Sequence, residues 1–232
     1  MKKSLKKHYN KKYFEDRDYL DERIAYTIRI LLEKNNFKKI LDVGCGTGKI
    51  VNYLNQNRFD VIGTDSSIEA IKIARKFAVK SAKKKFIKAD ATKLPFKRAT
   101  FDMITSISVI EHLTKKQVNI FLKEAKRILK PNGIIFIVTP NLLSPVRLYR
   151  GKRWFGYSDP THINFYTPFS LAKDLKKVRF KKIKFNFKTA YNTPFYWDLP
   201  TPIKILFVYL LWSSPLALIR DSFWVAAQKN NS

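Results

Sequence analysis

Between Tyr19 and Asn35 the apolar residues Leu20, Ile24, Ile28 and Leu31 recur at spacings of four, four and three, with most charges between them. That period predicts an amphipathic helix. Beyond it the pattern changes to short, mainly apolar runs: KKILDVG ending at Gly44, FDVIGTD from Phe59 to Asp65, KKFIKAD from Lys84 to Asp90, FDMITSISVI from Phe101 to Ile110, and GIIFIVTP from Gly133 to Pro140. Runs this short, bounded by glycine, proline or acids, predict buried strands.

Helical patterns separate several of these strands. SIEAIKIARKFAVK follows the second, and TKKQVNIFLKEAKRILKPNG follows the fourth, with apolar positions at 118, 121, 122, 125, 128 and 129 and stop signals at Pro131 and Gly133. Strand and helix in alternation imply right-handed crossovers and a mostly parallel sheet covered on both faces. The fold class expected is therefore a doubly wound α/β domain, with the 232 residues forming a single domain. Past Pro140 the regularity loosens into a proline- and aromatic-rich insertion over 141–168. A helix follows from about Ser170, then the strand-like FKKIKFNFK from Phe180 to Lys188, and a last strand-like piece, SFWVAAQ from Ser222 to Gln228, closes the chain.

The stretch before that last strand is unusual. Thr201 and Pro202 suit an N-cap and first helical position, Ile205 to Trp212 is apolar on every face, and Ser214-Pro215 suits a restart. This predicts a C-terminal helical hairpin insertion over 195–220. Its uncharged run, Ile205 to Ile219, falls short of the roughly 20 residues that span a bilayer. Two readings stand: a hairpin buried against the sheet or a second subunit, and a lid for an apolar substrate or a surface that dips into the membrane interface.

Composition narrows the partners. With 45% hydrophobic and 14% aromatic residues the chain is too apolar for a disordered class. Its formal net charge of +28 attracts polyanions, whether nucleic acid, anionic lipid or phosphorylated substrates, although a lysine-rich source composition would produce the same number. The one cysteine, Cys45, excludes an internal disulfide and fits a reducing cytoplasm. The basic leader lacks an apolar segment behind it, so a cytoplasmic location is expected, with peripheral membrane contact as an extension of the hairpin reading. No pair of histidines has metal-ligand spacing, so no metal site is expected.

The candidate chemistry begins at LDVGCGTGK, Leu41 to Lys49. In a doubly wound sheet the turn after the first strand lies where ligands bind, and glycine there lets backbone approach a ligand closely. Lys49 is followed by Ile50 rather than Ser or Thr, which excludes a phosphate-binding P-loop. Position 49 is not glycine, which excludes the G-x-G-x-x-G dinucleotide fingerprint. G-x-G-x-G preceded by Asp42 remains.

ILDVGCGTG resembles the first motif of class I S-adenosylmethionine-dependent methyltransferases, and the resemblance runs from about residue 10 to 140 and returns at the final strand. It implies S-adenosyl-L-methionine as cofactor, with Asp42 and the backbone of Gly44, Cys45, Gly46 and Gly48 against its amino-acid portion. Asp65, with Ser66, would take the ribose hydroxyls; Asp90 would take the adenine amino group beside the Ala91 backbone; Ser106 would line the same cleft. His112, in SVIEHL, lies where the family often has Glu-His, and it can equally be structural. His162, in DPTHINFYTPFSL, is the leading candidate for a catalytic base, because methyl transfer needs one when the nucleophile must lose a proton. His8, Tyr9, Tyr13 and Phe14 lie where relatives often carry an aromatic lid.

The acceptor expected is a small molecule, lipid or lipid-linked glycan intermediate. Exocyclic-amine base methylation uses Asp or Asn, Pro-Pro and an aromatic after the fourth strand, where this chain has ISVIEHL, and Cys45 is misplaced for cytosine C5 chemistry. The alternatives are an RNA methyltransferase, supported by charge, and a non-catalytic cofactor-binding partner.

Overall fold

The structure, a computed structural model, describes residues 13–14, 20–78, 80–186 and 221–230. The hairpin expected over 195–220, together with His8 and Tyr9, lies outside the described residues.

The first helix, α1 (Glu22–Lys34), is capped by Asp21, whose carboxylate accepts from the N–H groups of Arg23 and Ile24 at 3.1 Å. Then follow β1 (Lys39–Val43), α2 (Lys49–Gln56), β2 (Asp60–Asp65), α3 (Ile68–Phe77), β3 (Phe86–Lys88), β4 (Phe101–Ile107) and α4 (Lys115–Ile128). Next come β5 (Leu129–Pro140), α5 (Val146–Arg150), α6 (Phe155–Ser158), α7 (Pro168–Lys177), β6 (Phe180–Asn186) and β7 (Ser222–Lys229). Thr114 and Thr167 start α4 and α7 with capping boxes, each hydroxyl and its third-residue partner satisfying one another's orphan donors.

The seven strands order as β3-β2-β1-β4-β5-β7-β6. β1 to β5 are parallel, and β7 inserts antiparallel between β5 and β6. Alternation along each strand divides the core. Ile40, Met103 and Phe136 face α1, α2 and α3, whose Ile28, Leu54 and Ile71 they meet. Leu41, Ile104 and Ile135 face α4 and α7, packing with Phe121, Leu122 and Leu171. Each of these side chains is fully buried, a contribution of about 1.5–3 kcal/mol apiece. A sheet covered on both faces is what the near-continuous apolar runs require. Among the described residues no helix is long and apolar enough to cross a membrane.

Three expectations are corrected in detail. The fourth strand ends at Ile107, not Ile110, because Ser108 turns to φ +53° and Ile110–His112 coil into a 3₁₀ turn. The fifth strand begins at Leu129, which already pairs with Phe101 before Pro131 and Gly133 interrupt the register. The insertion over 141–168 is not wholly irregular: it contains α5 and α6, too short for a helical period to show, and α7 starts at Pro168.

Candidate active site

Strand order reverses direction between β1 and β4, so their carboxyl ends open the crevice where a doubly wound sheet binds ligands. The glycine loop emerges there. Gly44 and Gly48 have φ of +76° and +81°, values costly to any residue with a Cβ. Space forbids one as well: a Cβ on Gly44 would sit 2.3 Å from Val109 Cγ2, and one on Gly48 would sit 2.6 Å from the Phe86 ring. Around Gly46, by contrast, a Cβ would meet nothing within 4 Å among the described residues.

Two acids shape the loop. The Gly46 N–H donates to Asp65 Oδ2 at 3.0 Å and the Ser67 N–H to Asp65 Oδ1 at 2.8 Å, so the carboxylate at the end of β2 ties the loop to the start of α3. Burial raises the Asp65 carboxyl above its usual range against the pull of the Ser67, Gly46 and Ser66 N–H groups. Asp42, buried in β1, accepts from the Thr105 hydroxyl at 2.7 Å. Burial pushes its carboxyl up to about 6; the Thr105 bond opposes the shift and the charge of Asp65 adds to it.

The other residues predicted to hold cofactor are dispersed around this centre. The Cys45 side chain turns away from the crevice to pack against Gly63, and burial beside Asp65 and Asp42 pushes its thiol up, so only its backbone lines the loop. Ser66 is exposed at the loop's rim. Asp90 is exposed beyond β3, where its Oδ1 accepts from the Thr92 N–H at 2.8 Å and hydroxyl at 2.7 Å, with Ala91 half-buried beside it. Ser106 is buried in β4, and its hydroxyl has no hydrogen-bond partner among the described residues.

A second group lies past β4. The 3₁₀ turn presents Glu111 and His112, and the segment after α6 supplies Asp159, Thr161 and His162. The two segments are clamped by the Ile163 and Asn164 N–H groups, which donate to the Glu111 carbonyl at 2.9 and 3.1 Å. The His112 and His162 rings stack edge to face with centroids 4.6 Å apart. Thr161 donates its single hydroxyl proton to Asp159 Oδ1 at 2.6 Å, so its oxygen must accept from His112 Nδ1–H at 2.8 Å. His162 Nδ1 lies 2.8 Å from the Gly156 carbonyl, which can only accept. Both imidazoles are thus fixed with the proton on Nδ1, an assignment made by the hydrogen-bond network. Burial pushes Asp159 up, but the Thr161 hydroxyl and N–H and the two histidines outweigh it and hold the carboxyl below its usual value.

Glu111 escaped the reading of the chain. It is 1% exposed, its Oε2 accepts from Thr139 at 3.1 Å, and burial pushes its carboxyl up to about 8 against the pull of its own N–H, Thr139 and Ser108. The expectation of no metal ligands rested on spacing along the chain, whereas the fold brings one ligand atom each of Glu111, His112 and His162 within 4.8 Å of one another. From the N-terminal segment, the Tyr13 hydroxyl donates to Asp159 Oδ2 at 3.2 Å and so reaches the same cluster, with the buried Phe14 ring edge to face against Tyr13.

The glycine loop with its two strand-end acids, on a sheet of this order, defines a nucleoside-cofactor domain. The sequence model of a methyltransferase domain matches residues 13–184, and the chain belongs to the S-adenosylmethionine-dependent methyltransferase family. It is similar to a ubiquinone biosynthesis O-methyltransferase of Pelagibacter ubique, 31% identical over 53% of this chain and 51% of that protein. A second such enzyme, of Bartonella bacilliformis, is 35% identical over 60% of this chain and 57% of that one. The chain thus spans about half the length of the curated relatives it matches. Among solved structures it resembles in fold an S-adenosylmethionine-dependent methyltransferase of Archaeoglobus fulgidus, with TM-score 0.64 and 20% identity over 90% of this chain and 95% of that one.

Residues of the chain fit the family's cofactor. Gly46 has no neighbour within 4 Å of an added Cβ among the described residues. Asp65 and Asp42 place acceptors on either side of the loop, and Ser106 offers a buried hydroxyl lacking a partner among the described residues.

Proposed function

We propose that this chain transfers a methyl group from S-adenosylmethionine to a hydroxyl or carboxyl oxygen of a small, lipid or lipid-linked acceptor. The observation that carries this reading is the His112–His162 pair beside the cofactor loop, joined to it through Val109, whose side chain packs on Gly44. With its proton fixed on Nδ1 by the Gly156 carbonyl, His162 carries the lone pair of the neutral ring on Nε2, the form a general base requires. The similarity to ubiquinone biosynthesis O-methyltransferases, and to a malonyl-[acyl-carrier protein] O-methyltransferase of Enterobacter lignolyticus at 27% identity, supports an oxygen acceptor on an apolar or carrier-bound molecule.

In this reading the cofactor supplies an electrophilic methyl group. Asp42 and the loop backbone hold its amino-acid end, Asp65 its ribose, and Asp90 with Ala91 its adenine. The chain's remaining work is alignment of the acceptor oxygen, exclusion of water and acceptance of the proton that this oxygen loses. The Tyr13 hydroxyl, hydrogen-bonded to Asp159, brings the N-terminal aromatic segment to the edge of the histidine cluster, where it would help to exclude water. The basic surface favours acceptors carrying phosphate or carboxylate.

The test is transfer of label from methyl-tritiated S-adenosylmethionine to quinol precursors, fatty-acyl thioesters and membrane extracts. We expect organic-extractable product with the wild type, while His162→Ala should turn over about a hundred- to ten-thousand-fold more slowly with cofactor affinity retained. Product found only in added RNA would reject the small-molecule reading, and an unchanged turnover rate in His162→Ala would reject the base assignment.

A further inference from the structure

We propose that Glu111, His112 and His162 form a binding site for a divalent first-row transition-metal ion, zinc, manganese or iron in class, at the edge of the cofactor crevice. Three observations on the chain's own residues converge on it. One ligand atom from each residue lies within 4.8 Å of the other two. In a tetrahedral shell, ligands about 2.1 Å from an ion stand about 3.4 Å apart, so closure onto a cation draws each pair together by at most about 1.4 Å.

The second observation is an orphan. Glu111 Oε1 is buried and has no hydrogen-bond partner among the described residues, although Oε2 is held by Thr139. A buried carboxyl oxygen without a partner is costly, and a bound cation, taking the place of the carboxyl proton, removes that cost.

The third is the support behind each imidazole. His162 donates its Nδ1–H to the Gly156 carbonyl, and His112 donates its own to Thr161, which donates on to Asp159. Metal-ligating histidines almost always have their second nitrogen tied in this way, to a backbone carbonyl or toward a carboxylate, which fixes the ring and raises its basicity. Both arrangements occur here side by side, and each leaves the lone pair on Nε2.

Donor chemistry selects the ion. Two neutral imidazoles and one carboxylate suit zinc, manganese or iron, whereas magnesium and calcium prefer all-oxygen shells. Three protein ligands also leave coordination positions for a further molecule, the mark of a catalytic rather than a structural site. This last step rests on the function proposed above: an acceptor hydroxyl coordinated there would lose its proton to solvent more readily, and its oxygen would be held beside the cofactor loop. His162 would then activate the acceptor through the ion instead of as a free base.

The experiment uses the untagged full chain, stripped with a chelator and titrated with Co²⁺, read by visible absorbance, and with Zn²⁺, read by calorimetry. One equivalent is expected to bind. Glu111→Gln and His162→Gln should each weaken binding at least about tenfold, and Thr161→Val, which removes only the support of His112, about 10–100-fold. Unfolding midpoint and S-adenosylmethionine affinity, measured alongside, show that each variant is folded. Absence of stoichiometric binding, or wild-type affinity in both Glu111→Gln and Thr161→Val, overturns the site. Cation binding with no methyl transfer to any oxygen acceptor upholds the site and rejects the proposed acceptor chemistry; full transfer by protein that binds no cation does the reverse.

Discussion

Replacing Asp42 with Asn removes a charge while keeping the shape of the group and its ability to accept from Thr105. Asp42 is 3% exposed, and burial pushes its carboxyl from 3.8 up to about 6 despite that hydrogen bond. A carboxyl raised in this way holds its proton more tightly in the folded chain than in the unfolded one. Its contribution to stability is therefore fully present below about pH 4 and is lost as the pH climbs to about 6, a decline of about 3 kcal/mol at 1.36 kcal/mol per unit. Asp42→Asn lacks the decline, so its unfolding free energy should gain about 3 kcal/mol relative to wild type between about pH 4 and 6.5. Cofactor affinity should run the other way. If ionised Asp42 faces the ammonium group of S-adenosylmethionine, affinity rises about tenfold per unit as the pH approaches 6 and then levels off, and Asp42→Asn is both weaker and flat. Urea unfolding and calorimetry across about pH 4.5–7.5 measure the two effects. Parallel stability curves for wild type and variant, or wild-type affinity that does not change between about pH 5 and 7, would refute the assignment.

Two other changes follow from the loop and its surroundings. Gly48→Ala sets a Cβ at φ +81° and 2.6 Å from the Phe86 ring, and should cost about 2–5 kcal/mol from the left-handed backbone and overpacking together. Gly46→Ala meets no neighbour within 4 Å among the described residues and should cost only about 1–2 kcal/mol, while weakening the cofactor by more than its stability loss explains; urea midpoints and binding measured on the same preparations separate the two. Asp221, buried just before β7, accepts from the Ser144 hydroxyl and from Trp154 Nε1 at 3.3 Å, anchoring the segment after β5. Asp221→Ala strands both donors and should destabilise by about 2–5 kcal/mol in chemical unfolding, with proteolysis appearing first within 141–158.

The parallel strands were legible because they are buried on both faces and so read as short, mainly apolar runs, as Lys39–Val43 and Phe101–Ile107 show, the polar Asp42, Thr105 and Ser106 among them being buried as well. Helix α2 was not legible in the same way. It is eight residues long and buries only Val51 and Leu54, too few positions to establish a period. The glycine loop and Asp65 announced themselves because local backbone geometry and the strand-end position are written in contiguous residues. Glu111 did not, since its role depends on Thr139 and on a segment some fifty residues further on, clamped to it by backbone hydrogen bonds. The same distance concealed the Glu111–His112–His162 constellation from any rule based on ligand spacing. At Cys45 the resemblance implied a contact through backbone alone, and the side chain packs against Gly63 of β2.

The central claim is that the loop of Gly44, Gly46 and Gly48 with Asp65 holds S-adenosylmethionine. The most direct measurement is calorimetric titration of the purified chain with S-adenosylmethionine, its demethylated product and NAD, repeated on Asp65→Ala. Micromolar binding of the first two, none of NAD, and a loss of at least tenfold in the variant is the predicted result. Binding of NAD in their place, or undiminished S-adenosylmethionine binding by Asp65→Ala, would contradict it.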